Sequence, residues 1–246
     1  MSFVTHLYDL KLKHMDKTIT EKFAELEIPG GIGDLSSIEA RLAALENPVS
    51  ILSFTIISPV NPLEVGEELT NISFSWEIEN FAIADSARVI DVTGEETLYT
   101  ILTETGSTSQ PISMSKTIPS TNSFRLDVFI GGKTIPSTVR TVSWRYPTYY
   151  GNGGSTINAD GIKELATKSL RSSTIGNYEI ADELGYKWIV LPKSLTQPTD
   201  FRESGFPVAM QSPIEVTMVN DYGVSIVMNA YRTTNSFSDP ITIEAV

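Results

Sequence analysis

The feature that most restricts the fold of this 246-residue chain is a short apolar repeat near its N-terminus. Leu35, Ile38, Leu42 and Leu45 are spaced by three, four and three residues, and Val49 extends the series by four. This is the seam of an amphipathic helix at heptad spacing. One and a half heptads cannot form a domain, so the stripe must be buried against copies of itself or against a partner. Ser36 with Glu39 three residues on matches a capping box, with Asp34 as an alternative cap. Ala40, Arg41, Ala43 and Ala44 favour the helix, and Asn47-Pro48 ends it because the residue before proline leaves the helical region. Leucine at one core position with isoleucine at the other leans toward three or four strands, and a trimer is expected.

Residues 1–33 read as a docking arm and hinge. Leu7, Tyr8, Leu10 and Leu12 begin an alternating piece, and Ile19, Phe23 and Leu26 a helix-like one. Neither is long enough to hold its structure alone in water, so the arm is expected to order by docking. Pro29-Gly30-Gly31-Ile32-Gly33 then interrupts any helix.

Charge restricts the partners. The net charge is −12 with a pI near 4.6, which disfavours nucleic-acid binding by the body of the chain. Locally, Lys11, Lys13, Lys17 and Lys22 outnumber Asp9, Asp16 and Glu21, which leaves either a solvated arm of mixed charge or an anchor for an acidic partner. With no cysteine, neither disulfides nor thiolate metal sites are available, in keeping with assembly in a reducing cytoplasm. No apolar stretch approaches the roughly 18–20 residues that span a bilayer, and Asp9 and Lys11 interrupt the only stretch resembling a signal peptide. Membrane insertion and secretory export are therefore not expected.

Beyond the helix, the pattern turns to period two. Strands are expected at 51–57, 72–78, 86–92, 97–103, 112–118, 123–130 and 134–145. Ile72, Phe74, Trp76 and Ile78 fall on one buried face, as do Phe124, Leu126, Val128 and Ile130, while Val139, Val142 and Trp144 mark the last strand. Seven short strands over residues 49–148 are the count of an immunoglobulin- or fibronectin-like β-sandwich, and the missing cysteine pair favours the fibronectin-like description. Pro147-Thr148-Tyr149-Tyr150-Gly151-Asn152-Gly153-Gly154 reads as a boundary. Residues 149–246 form a second β-rich domain, with a short helix over 161–167 capped by Asp160. Its strands are expected near 177–180, 186–191, 214–219, 224–232 and 241–245, with a hairpin turn at Asp221-Tyr222-Gly223. The fold class is thus mainly β, behind an arm and a short coiled-coil helix.

Catalytic motifs are sparse. Gly132-Lys133-Thr134 imitates the end of a phosphate-binding loop. Asp127 stands where the pattern needs glycine, and Ile135-Pro136 follows where it needs a helix, so a Gly131-Gly132 hairpin is expected. Gly151-Asn152-Gly153-Gly154 lacks nucleotide-loop spacing and reads as a linker. Asn71-Ile72-Ser73 matches a glycosylation sequon, which matters only in a secreted protein. His6 and His14 are the only histidines and both lie in the arm, which leaves neither β domain a Ser–His or Cys–His nucleophile or a histidine metal centre. Carboxylate-only glycosidase chemistry remains open, although nothing positions a particular pair among 30 acidic residues. Tyr149, Tyr150, Tyr178 and Tyr186 are candidates for a ligand or partner platform, against a packing role in cores and seams. No cofactor is expected.

The layout has a familiar style. A Gly-interrupted arm leads into Asp34-Leu35-Ser36-Ser37-Ile38-Glu39-Ala40-Arg41-Leu42-Ala43-Ala44-Leu45-Glu46-Asn47. A sandwich follows, bounded by Phe74-Ser75-Trp76 and Thr141-Val142-Ser143-Trp144-Arg145-Tyr146. Then come Tyr149-Tyr150-Gly151, Trp188-Ile189-Val190-Leu191-Pro192 and Val227-Met228-Asn229-Ala230-Tyr231-Arg232. From about Asp34 onward the chain resembles structural proteins of tailed bacteriophages, of the tail-fibre, baseplate or neck-appendage kind. The resemblance implies a non-enzymatic, homotrimeric virion part assembled in host cytoplasm. Its arms would meet other virion proteins, and its C-terminal domain would meet a further fibre protein or a host surface glycan. The alternative is a receptor- or glycan-binding module acting in host adsorption. The helix reading predicts that Ile38→Asp with Leu42→Asp converts the assembly to monomers in multi-angle light scattering, and unchanged mass would remove the helix as the oligomer switch.

Overall fold

The computed structural model describes residues 48–181 and 184–246. The arm positions Leu7, Tyr8, Leu10, Leu12, Ile19, Phe23 and Leu26 and the heptad positions Leu35, Ile38, Leu42 and Leu45 lie outside the described residues. Val49 lies within them. It is 5% exposed and belongs to the core of the first β unit, so its side chain is used there. The described chain is mainly β, arranged in four sheets.

The first unit contains β1 (Ser50–Ser58), β2 (Leu63–Glu64), β3 (Leu69–Glu79), β4 (Ser86–Asp91), β5 (Glu96–Ile101), β6 (Thr105–Met114), β7 (Ser120–Ile130), β8 (Lys133–Pro136) and β9 (Arg140–Arg145). One sheet has the order β1-β3-β6 and the other β2-β9-β7-β4-β5, with β8 paired to the far end of β7. All pairs are antiparallel except β2 with β9, which run parallel. Alternation decides what lies between the sheets. Ile72, Phe74, Trp76 and Ile78 of β3 point inward, as do Phe124, Leu126 and Val128 of β7. Phe74 stacks on Phe54 and meets Phe124 edge-on, each with centroids 5.6 Å apart, so the aromatic contact crosses from one sheet to the other.

The turns follow from local chemistry. Gly131 and Gly132, with φ of 54° and 75°, form the two-residue hairpin between β7 and β8, with Ile130 opposite Lys133. Asp91, 4% exposed, accepts from the amides of Thr93 and Gly94 and from Asn122 Nδ2, which ties the β4–β5 turn to β7.

Three expectations for this unit change. The strand expected at 112–118 is β6, displaced toward the N-terminus. Its residues are mostly Gly, Ser and Thr, and Gly106 lies directly under the Trp76 ring, where a Cβ would stand 2.8 Å from Cζ2. The strand expected at 134–145 is split into β8 and β9. Pro136 has no amide hydrogen, and Ser137 takes over, its Oγ accepting from Leu126 N and its own amide donating to Leu126 O. Val139 falls in this irregular stretch and is 47% exposed, not buried as the pattern implied.

The second unit contains β10 (Pro147–Gly153), α1 (Ala159–Lys163), β11 (Thr167–Leu170), β12 (Gly176–Ile180), β13 (Tyr186–Pro192), β14 (Phe201–Glu203), β15 (Phe206–Pro207), β16 (Ile214–Val219), β17 (Ser225–Arg232) and β18 (Ile241–Ala245). Its sheets have the orders β11-β10-β13-β17-β16 and β12-β18-β14-β15. β13 is buried on both faces. Ile189 and Leu191 join Tyr178, Phe201, Ile241 and Ile243 between the two sheets, while Trp188 and Val190 belong to a core continuous with that of the first unit.

The expected Gly-rich linker is strand β10. Gly151 and Gly153 stand on one face, where a Cβ would come within 2.8 Å of Ala166 N and of Trp188 Cδ1 respectively. These glycines admit a close approach. The helix expected at 161–167 lies earlier, at Ala159–Lys163, because Asn158 caps it by accepting from Gly161 N, while Thr167 already belongs to β11. The expected hairpin at Asp221-Tyr222-Gly223 is present between β16 and β17. Phe74→Ala should destabilise the protein by about 3–5 kcal/mol in urea unfolding, because the ring is fully buried in the contact between sheets.

Candidate functional site at the junction of the two units

β9 ends at Arg145 and β10 begins at Pro147, so one residue, Tyr146, carries the chain from the first unit to the second. What fixes their relative position is the segment Leu63–Glu67 of the first unit. Val65 N donates to Arg145 O at 3.0 Å, and Trp144 Nε1 donates to Glu67 O at 2.9 Å, which ties the segment to β9. Its other side meets the loop joining β16 to β17. Asn220, 3% exposed, donates from Nδ2 to Val65 O at 2.7 Å, while its Oδ1 accepts from Tyr222 N and Val224 N. Gly66 has φ of +89°, and a Cβ there would stand 2.6 Å from Val224 Cγ2. Both conformation and space demand glycine at this position.

The charge at the junction is Glu64, whose side chain is 5% exposed. Lys168 of β11 places Nζ 2.7 Å from Glu64 Oε2 and 2.5 Å from Asp221 Oδ2, with Lys163 Nζ 3.9 Å from Asp221 Oδ1. Glu64 Oε1 is buried without a hydrogen-bond partner among the described residues. Burial pulls the Lys168 ammonium down, but its hydrogen bonds to Asp221 and Glu64 outweigh that and hold its pKa above the usual lysine range. Lys168 in turn holds Asp221 below the usual carboxylate range. Tyr149 lies under Lys168 at 5.9 Å, and burial pushes its phenol up to about 12 against the pull of that ammonium. This network neutralises and positions. It offers no nucleophile paired with a base.

Of the four tyrosines in the expected platform, Tyr149 and Tyr178 are 2% and 0% exposed, so their faces serve packing. The Tyr178 hydroxyl donates to Thr174 O at 2.6 Å, and its ring meets Tyr150 edge-on at 5.2 Å. Tyr150 and Tyr186 are half-buried, each beneath an arginine, Arg171 at 5.6 Å and Arg232 at 4.2 Å. Among the described residues no group of three or more histidines, cysteines or carboxylates is placed to hold a metal ion.

Sequence reading did not single out Glu64, Lys168 or Asn220. Asn220 meets its partner across 155 residues, and no local pattern encodes such a pair. The one signal within reach was the turn at Asp221. No family model, curated protein or solved structure matches this chain.

Lys168→Met should destabilise the protein by about 2–3 kcal/mol by stranding the buried Glu64 carboxylate. That is less than the loss for a fully enclosed pair, because a third of the Lys168 side chain meets water. Adding Glu64→Gln to that variant should recover part of the loss in urea unfolding, and strictly additive effects would show that the two groups are not coupled.

Proposed function

We propose that the chain is a non-enzymatic structural component of a tailed-phage virion. It is a trimeric fibre or fibre adaptor that attaches to baseplate, tail or neck through its N-terminal arm. The observation that carries this reading is the junction. Two β units joined by one residue share a continuous core and a buried ion pair, so they behave as a single stiff body. A stiff body suits a part that must hold a distal element at a set distance from its anchor.

The first unit is read as immunoglobulin- or fibronectin-like. Support comes from its strand order, β1-β3-β6 packed against β9-β7-β4-β5, with the crossovers of a two-sheet Greek key. The seam at Leu35, Ile38, Leu42 and Leu45 sets the trimer, and the arm residues meet other virion proteins after assembly in host cytoplasm. The second unit then carries a further fibre protein or reaches the host surface.

Light scattering of the full chain should give a mass about three times its 27.0 kDa. Antibodies against residues 49–246 should decorate an appendage of tailed particles in negative-stain micrographs. A single-subunit mass, or particles left bare by the antibody, would overturn the proposal.

A further inference from the structure

A groove of about 280 Å³ opens at the junction, on the side formed by the start of β7 and the end of β9. Ser120, Trp144, Arg145 and Tyr146 line it from one side, and Arg171 and Leu195 of the second unit close it. We propose that this groove binds an acidic sugar, a saccharide ring bearing a carboxylate.

The charge argument rests on Arg145. Arg125 pairs with Asp127, Arg202 with Asp200, and Arg140 donates to Phe54 O. Arg88 covers Phe129, Arg171 covers Tyr178, and Arg232 covers Tyr186. Among the described residues, Arg145 is the one arginine whose side chain makes no hydrogen bond, ion pair or ring contact, and it lines a groove in a chain of net charge −12. A guanidinium left open is a planar double donor that matches a carboxylate. Arg171 adds a second positive charge held in place, since its Nε donates to Ser169 Oγ, its Nη2 donates to Asn177 O, and its plane lies on Tyr178 at 4.3 Å.

The remaining wall is largely apolar. The Trp144 ring is buried in the core beneath, and the accessible carbon surface comes from Pro119, Tyr146 and Leu195. Carbon surface beside two guanidinium groups suits a pyranose ring, which has an apolar C–H face and a polar edge. A bare inorganic anion would leave that surface uncovered. The volume sits at the small end of ligand sites, which fits one or two rings and excludes a folded partner. Because the walls come from both units, the junction that stiffens the body also pre-forms the groove.

This inference moves glycan recognition from the tyrosine platform to the junction, and it stands independently of the assembly role. The test is titration of the full chain with glucuronate, glucose and inorganic phosphate, followed by saturation-transfer NMR and calorimetry. Glucuronate should bind with a millimolar dissociation constant, and glucose and phosphate at least tenfold more weakly. Arg145→Gln should weaken glucuronate binding at least tenfold with an unchanged unfolding midpoint, while Arg145→Lys should fall between wild type and Arg145→Gln. Lys133→Gln, on the distant β7–β8 hairpin, should leave binding intact. Equal binding of glucose or phosphate, no binding of glucuronate, or undiminished binding by Arg145→Gln would each overturn the proposal and leave the virion role standing.

Discussion

A carboxylate withdrawn from water between two sheets must be neutralised, and in this protein the neutralising cation comes from the other β unit. Glu64 sits on the two-residue strand β2, and Lys168 reaches it from β11. The pair contributes modestly to net stability, since the cost of burying both charges offsets most of their attraction. Its consequence is positional. Any other docking of the two units would strand Glu64 without a partner, a penalty that hydrophobic contact alone does not impose. Gly66 and Asn220 reinforce the same arrangement, one by leaving no room for a Cβ and the other by donating to Val65 O.

The three tryptophans follow one design. Each indole N–H donates to a backbone carbonyl: Trp76 to Thr103, Trp144 to Glu67 and Trp188 to Gly154. Two of the rings lie against a strand glycine, Trp76 on Gly106 and Trp188 on Gly153. Large side chains with a polar edge are thus buried without an unmet donor. The glycines that make room for them weaken their own strands, and the sheets recover that loss by packing.

Stiffness and recognition are compatible in this architecture because both arise at the same seam. The shared core and the ion pair hold the units as one body, and the same seam leaves Arg145 and Arg171 lining a groove. A body held rigid in this way can therefore carry a small binding site with fixed geometry.

The strands with one buried face were legible in the sequence. Ile72, Phe74, Trp76 and Ile78 alternate with polar residues because half of each pleat meets water, and β16 and β18 were located at their observed bounds. The Gly131-Gly132 turn was equally plain, since positive φ selects glycine. β6 was misplaced because its glycine, serine and threonine carry no hydropathy signal, and β10 was missed because Gly151 and Gly153 read as a linker although they admit the close approach of Ala166 and Trp188. β13, buried on both faces, was found as an apolar run, but which core each face serves was not readable. The junction and its groove belong to tertiary structure alone. Glu64, Lys168, Arg145 and Arg171 acquire partners, or are left without them, only when distant strands are brought together, and no local pattern carries that information.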